Sequence, residues 1–165
     1  TMVLLKDDIL FKSILFAGLL VMSGLSVASE EIGSVDTAFK LLGANHKVVV
    51  EVFDDPAVEG VSCYISRAKT GGLSATIGIS EDPSDASVAC RQVGDIKFKT
   101  AFKSQEDVFS ERTSILFKRM HVVRMVDTKR NVLLYMVYSD KLVDGSPKNS
   151  ITAVPVHGVT IPVKK

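Results

Sequence analysis

The sequence predicts an α+β fold, a mainly antiparallel β-sheet with one clear helix over about residues 82–93 packed on it and one disulfide. Two patterns carry the prediction. Short stretches such as Val48, Val50 and Val52 alternate in the period of a strand, and Ala86, Ala89, Cys90 and Val93 follow the i, i+3, i+4, i+7 stripe of a helix. The third observation is a pair of cysteines, Cys63 and Cys90, in a chain that opens with an export signal.

That opening is a nine-residue run, Ile14 to Met22, apolar apart from Gly18. Ser26 and Ala28 then supply the small side chains a signal peptidase needs, predicting a cut before Ser29. Ile14 to Ala28 is 15 residues, short of the roughly 20 that a membrane span requires. Residues 1–28 are therefore expected to be a cleaved signal peptide, and 29–165 one exported domain without a membrane span. Asp7 and Asp8 offset Lys6 and Lys12, so translation is expected to begin near Leu10. The 137 residues from Ser29 onward are enough to bury a core without a metal.

Ile32 to Leu42 suits either a strand or a short helix and is read as a strand entering a turn at Gly43-Ala44-Asn45. Lys47 to Phe53 is a strand, Asp54 to Gly60 a loop, and the Cys63 segment the second arm of a hairpin. A Gly71-Gly72 break follows, with brief pairing expected over Ile77 to Ile79. Asp82 then reads as a helix N-cap, Pro83 as the first helical residue and Gly94 as the stop. Ile96 to Lys99 alternates as a strand, and Ser104 to Glu111 reads as a polar loop. Ser114 to Val126 and Val132 to Ser139 are strands joined by residues 127–131. The second is apolar on both faces and is expected to be central. Ile151 to Val156 is the last strand.

An oxidising compartment favours joining Cys63 to Cys90. Both would point toward the core and pin the helix to the sheet, and closing that loop stabilises by about 3.5 kcal/mol in the chain-entropy model. Two separate buried thiols, or a redox-responsive pair, are the alternatives.

No catalytic or cofactor signature is present. His46, His121 and His157 have no metal-ligand spacing, and no Gly-x-Ser-x-Gly elbow occurs. The acidic groups Asp54, Asp55, Glu59 and Glu81, Asp82, Asp85 do not match a calcium loop. In Ser66-Arg67-Ala68-Lys69-Thr70-Gly71-Gly72 the glycines follow the lysine, the reverse of a phosphate loop. Arg67 and Lys69 could still flank an anion-binding nest, and Lys148 and Asn149 could project polar groups from the turn-rich loop 144–150.

Charge divides along the chain. Ser29 to Asp95 carries 5 basic and 11 acidic residues, and Ile96 to Lys165 carries 13 basic and 6 acidic. Either the halves neutralise one another in space, or Lys118, Arg119, Arg124, Lys129 and Arg130 form a basic face. Outside the cytoplasm nucleic acid is not an expected partner.

The strings Glu31-Ile32-Gly33-Ser34-Val35-Asp36-Thr37, Cys63 to Gly72, Arg112-Thr113-Ser114, Tyr138-Ser139-Asp140-Lys141 and Gly145 to Ser150 together resemble the bacterial CreA family over nearly the whole chain after Ser29. The resemblance implies a Gram-negative periplasmic location and a name linked to catabolite regulation, but no catalytic residues. The expected function is that of a non-enzymatic envelope protein binding a ligand or partner through Arg67, Lys69, Lys148 and Asn149, without metal or cofactor. The competing readings are a hydrolase using His121 or His46 as base, and a redox sensor through Cys63 and Cys90.

Overall fold

The computed structural model describes residues 28–39, 41, 45–71, 85–113, 119–140 and 147–164. Among the described residues eight strands make two antiparallel four-stranded sheets, each in simple chain order. The first holds β1 (Glu30–Ala38), β2 (His46–Asp54), β3 (Val58–Lys69) and β4 (Ala86–Phe98). The second holds β5 (Gln105–Arg112), β6 (Arg119–Asp127), β7 (Val132–Ser139) and β8 (Asn149–Pro155). Inward side chains of both sheets, among them Phe53, Ile65 and Val88 on one and Phe109, Val122, Leu133 and Val137 on the other, share one core. Phe53 and Phe109 stack across it with ring centroids 4.5 Å apart.

The fold is thus all-β, and the α+β expectation is corrected: no helix is present among the described residues. The proposed helix is strand β4 from Ala86 onward, while its expected cap, Asp82 to Ser84, lies outside the described residues. A short apolar run satisfies both periods. Ala86, Ala89, Cys90 and Val93 fit a helical stripe, yet Val88 and Cys90 are buried while Ser87 and Arg91 are exposed, the alternation of a strand. Pairing with β3 decides between them. Its register sets Cys63 directly opposite Cys90, and the two are joined as a disulfide with both residues at 0% exposure. The bridge therefore ties two neighbouring strands, not a helix to a sheet.

A second correction concerns 104–111, which forms β5 instead of a polar loop. Gln105, Asp107, Ser110 and Arg112 face solvent on this edge strand. A register shift between Asp107 and Phe109 lets Val108 and Phe109 both turn inward, which breaks the alternation that would have revealed a strand. β7 is an interior strand, paired to β6 and β8. The pairing expected over Ile77 to Ile79, the turn at 43–44 and the segment 114–118 lie outside the described residues.

Two residues with a left-handed backbone stand out, Gly60 at a register shift inside β3 and Asn131 in the turn between β6 and β7. At Gly60, with φ +79°, a Cβ would come within 2.4 Å of the Asp95 carbonyl oxygen, so β3 can approach β4 here only without a side chain. Asn131, at φ 56°, donates from Nδ2 to the Val156 and Val159 carbonyls at 2.8 Å each and accepts the Ile161 N–H at 2.9 Å. The tail then meets Phe102, whose N–H donates to the Pro162 carbonyl and whose carbonyl accepts the Lys164 N–H.

Replacing Gly60 by Ala puts a side chain on a left-handed backbone and into a clash. The Gly60→Ala protein is expected to lose about 1–3 kcal/mol in urea unfolding followed by circular dichroism. Denatured, unreduced protein is expected to show no titratable thiol. Two would contradict the bridge.

Candidate functional site

β6 turns Met120, Val122 and Arg124 toward the core in alternation, so a guanidinium occupies a position its neighbours give to aliphatic groups. Arg124 is 1% exposed. Its Nη1 donates to both oxygens of Asp55, at 2.6 and 2.8 Å, and its Nη2 to Glu106 at 3.0 Å. Tyr135, opposite Arg124 on β7, donates its hydroxyl to Asp55 at 2.8 Å, and the Ala57 N–H adds a fourth bond to that carboxylate. Phe102 covers the guanidinium at 3.8 Å. Burial, followed by the neighbouring Asp55 charge, pushes the Tyr135 hydroxyl far above its ordinary range, which keeps it a neutral donor. Every charged group here serves the interior. Arg124 is accordingly no part of a basic face.

A second network occupies one end of the same interior. Alternation places Arg67 and Lys69 on the inner side of β3, where Arg67 faces Val49 of β2 across the ladder. Arg67 Nε and Nη2 donate to Glu51 at 2.8 and 3.2 Å, Nη2 also reaches Glu111 of the other sheet at 2.6 Å, and Lys69 Nζ donates to Glu51 at 2.8 Å. Burial works to raise the Glu51 carboxyl, but the hydrogen bonds from Arg67 and Lys69 outweigh it and hold the pKa below the ordinary value. Burial likewise works to lower Arg67, and the two carboxylates reverse it.

The opposite face of the same strands forms a cleft of about 390 Å³. By register Val48 pairs with Ala68 and Ser66 with Ser87, so these four side chains share one sheet face and make the floor. Asp85 and Ala86 lead into β4 on one side, and Lys148 and Asn149 lead into β8 on the other. Lys148 and Asp85 form an ion pair across the mouth, with side chains 69% and 53% exposed. Of the four residues expected at a ligand site, Lys148 and Asn149 line this cleft together. Arg67 also borders it, but its side chain is only 4% exposed and is committed to Glu51 and Glu111. Lys69 stands with Arg67 on the inner side. Ser66, Ser87 and Asp85 are not legible in the sequence as neighbours of Lys148, because only the β3–β4 ladder, which a helical reading of residues 82–93 hides, brings Asp85 and Ser87 beside Ser66.

His121 and His46 border neither this cleft nor a smaller one of about 230 Å³ beside Arg124 and Lys164. The His121 ring nitrogens lie 3.3 Å from Asp107 and 3.2 Å from Asp140, and the ring stacks on Tyr138. His46 Nδ1 accepts the Gly71 N–H at 2.9 Å. Among the described residues no group of three or more His, Cys, Asp or Glu is placed to hold a metal ion, and no helix is long and apolar enough to cross a membrane.

Residues 32–159 match the family described as CreA protein. Three relatives named Protein CreA, from Escherichia coli strain K12, strain CFT073 of serotype O6:H1 and serotype O157:H7, are each 53% identical over 150 residues, spanning 88% of this chain and 96% of the relative. No solved structure matches.

The lowered Glu51 pKa fixes the sign of a pH effect. Its carboxylate contributes fully above the ordinary glutamate range, and the contribution disappears as pH falls through the folded-state value. Glu51→Gln is expected to be less stable than the parent by about 1–3 kcal/mol at pH 7. The gap should shrink as unfolding is repeated from about pH 5 down to about pH 3.

Proposed function

The chain belongs to the CreA family, and on that footing we propose that it is an exported, periplasmic, non-enzymatic protein that binds a small ligand or an envelope partner in the Lys148 cleft. The observation that carries this reading is the contrast between the two sides of the first sheet. On the inner side Arg67, Lys69, Glu51 and Glu111 satisfy one another. On the outer side Lys148 and Asp85 meet in an exposed pair, which is worth little in stability. A ligand therefore displaces that pair at small cost, while Arg67 and Lys69 hold the strand beneath it in place.

Export is supported by the Cys63–Cys90 disulfide and by the start of β1 at Glu30, one residue beyond the expected cut. Cleavage before Ser29 leaves every strand whole. The disulfide serves stability in this reading, since both of its cysteines are fully buried and no thiol reaches them without opening the core.

Two measurements test the proposal. Protein recovered from the periplasmic fraction is expected to begin at Ser29 on N-terminal sequencing. In a strain lacking the gene, the variant with alanine at Arg67, Lys69, Lys148 and Asn149 is expected to fail to restore the deletion phenotype, and Lys148→Ala with Asn149→Ala to fail equally while keeping the parent's unfolding midpoint. Full restoration by the pair would remove the site from this cleft.

A further inference from the structure

The cleft sits at the head of a seam where the two sheets meet without a ladder. Among the described residues β4 pairs only with β3 and β8 only with β7, so each presents an edge to the other. Two side-chain bonds span the gap among the described residues: the Val88 N–H donates to Ser150 Oγ at 2.9 Å, and Arg91 Nη1 donates to Thr152 Oγ1 at 3.2 Å. Both run forward along the two strands, so β4 and β8 leave the cleft in the same direction. The Val88 N–H points into the seam, and strand alternation turns the backbone of Ala86 to the same edge. Ala86 lies in the cleft, one residue after Asp85.

A strand edge at the mouth of a cleft is built to receive an extended backbone. The surrounding groups define which part of a peptide. Lys148, Ser66, Ser87 and Asn149 offer an ammonium, two hydroxyls and an amide, against the single carboxylate of Asp85, which already answers Lys148. An incoming carboxylate takes the place of Asp85 on Lys148, with hydroxyl and amide donors beside it, whereas an incoming amine would have to displace Lys148 from the single carboxylate of the cleft. The apolar part of the floor, Val48 and Ala68, is made of short side chains, against which small side chains of a bound chain can lie flat.

We infer that the cleft captures the free C-terminus of an extended peptide, its terminal carboxylate on Lys148 and its backbone added to the β4 edge at Ala86. This rests on the ligand-binding reading above and assigns it a ligand class. The edge supplies affinity independent of sequence, and the short floor selects small terminal residues such as alanine.

The test is an NMR titration of the isotope-labelled 29–165 domain, disulfide intact, with N-acetyl-trialanine as free acid, its C-terminal amide, and sodium acetate. The free acid is expected to shift the amides of Ala86, Ser87 and Val88, with the amide binding about ten- to a hundredfold more weakly. Lys148→Ala should abolish the difference between acid and amide, with the rest of the spectrum unchanged. Equal binding of acid and amide would refute carboxylate capture. Acetate shifting the same amides as strongly as the peptide would refute strand addition. No response to the free acid at millimolar concentration would overturn the inference outright, and the ligand-binding reading would then still stand or fall on complementation by Lys148→Ala with Asn149→Ala.

Discussion

Asp55 is the group on which the two sheets depend. It lies in the tight turn between β2 and β3, is 2% exposed, and accepts four hydrogen bonds, two from Arg124, one from Tyr135 and one from the Ala57 backbone. Three of these come from the second sheet. Neither a carboxylate nor a guanidinium tolerates burial alone, and removing one partner of such a pair costs about 3–5 kcal/mol. Each sheet therefore keeps its inner face satisfied only when the other is docked in register. Arg67 and Glu111 repeat the arrangement at another point between the sheets. The apolar residues supply the bulk of the driving force, but they would accept many relative positions. The charges accept one.

The division of charge along the chain finds its explanation here. The acidic first half is the first sheet and the basic second half is the second. Arg124 with Asp55 and Lys148 with Asp85 join them in the expected sense, while Arg67 with Glu111 runs against it. Summed charge thus reflected complementarity between two layers of one domain. Arg119 and Arg130 remain outside, Arg130 held by Asp127 within its own turn.

Much of this was legible in the residues. β2 and β7 follow from their strand patterning, and the pairing of Cys63 with Cys90 follows from an oxidising compartment and two core-facing cysteines, which holds whether Cys90 lies on a helix or a strand. What failed were places where one local rule mimics another. In β4 the alanines are small enough to suit either period, and only the long-range ladder to β3 chooses. In β5 the bulge at Val108 puts two adjacent residues inside and erases the pattern. Summed charge left open whether Arg124 neutralises an acidic partner or joins a basic face, and only its register, with Val122 and Val126 at strand spacing on either side, turns it inward. The cleft was half legible. Lys148 and Asn149 stood out as polar groups in a turn-rich loop, but Asp85 and Ser87 join them through a strand that the sequence disguised.

The clamp at Asn131 bears on the order in which the chain can finish folding. Asn131 and Phe102 hold the stretch from Ile161 to Lys164 through main-chain and side-chain bonds, and Ile161 adds itself to the core. In a chain made from its N-terminus, that stretch follows every described strand of both sheets. Until it emerges, Phe102 lacks its backbone partners, and the ring that lies over Arg124 is not yet anchored. A segment downstream of both sheets thus anchors the ring that covers a buried charge at their centre, so that network is complete only after β8 and the stretch beyond it have been made.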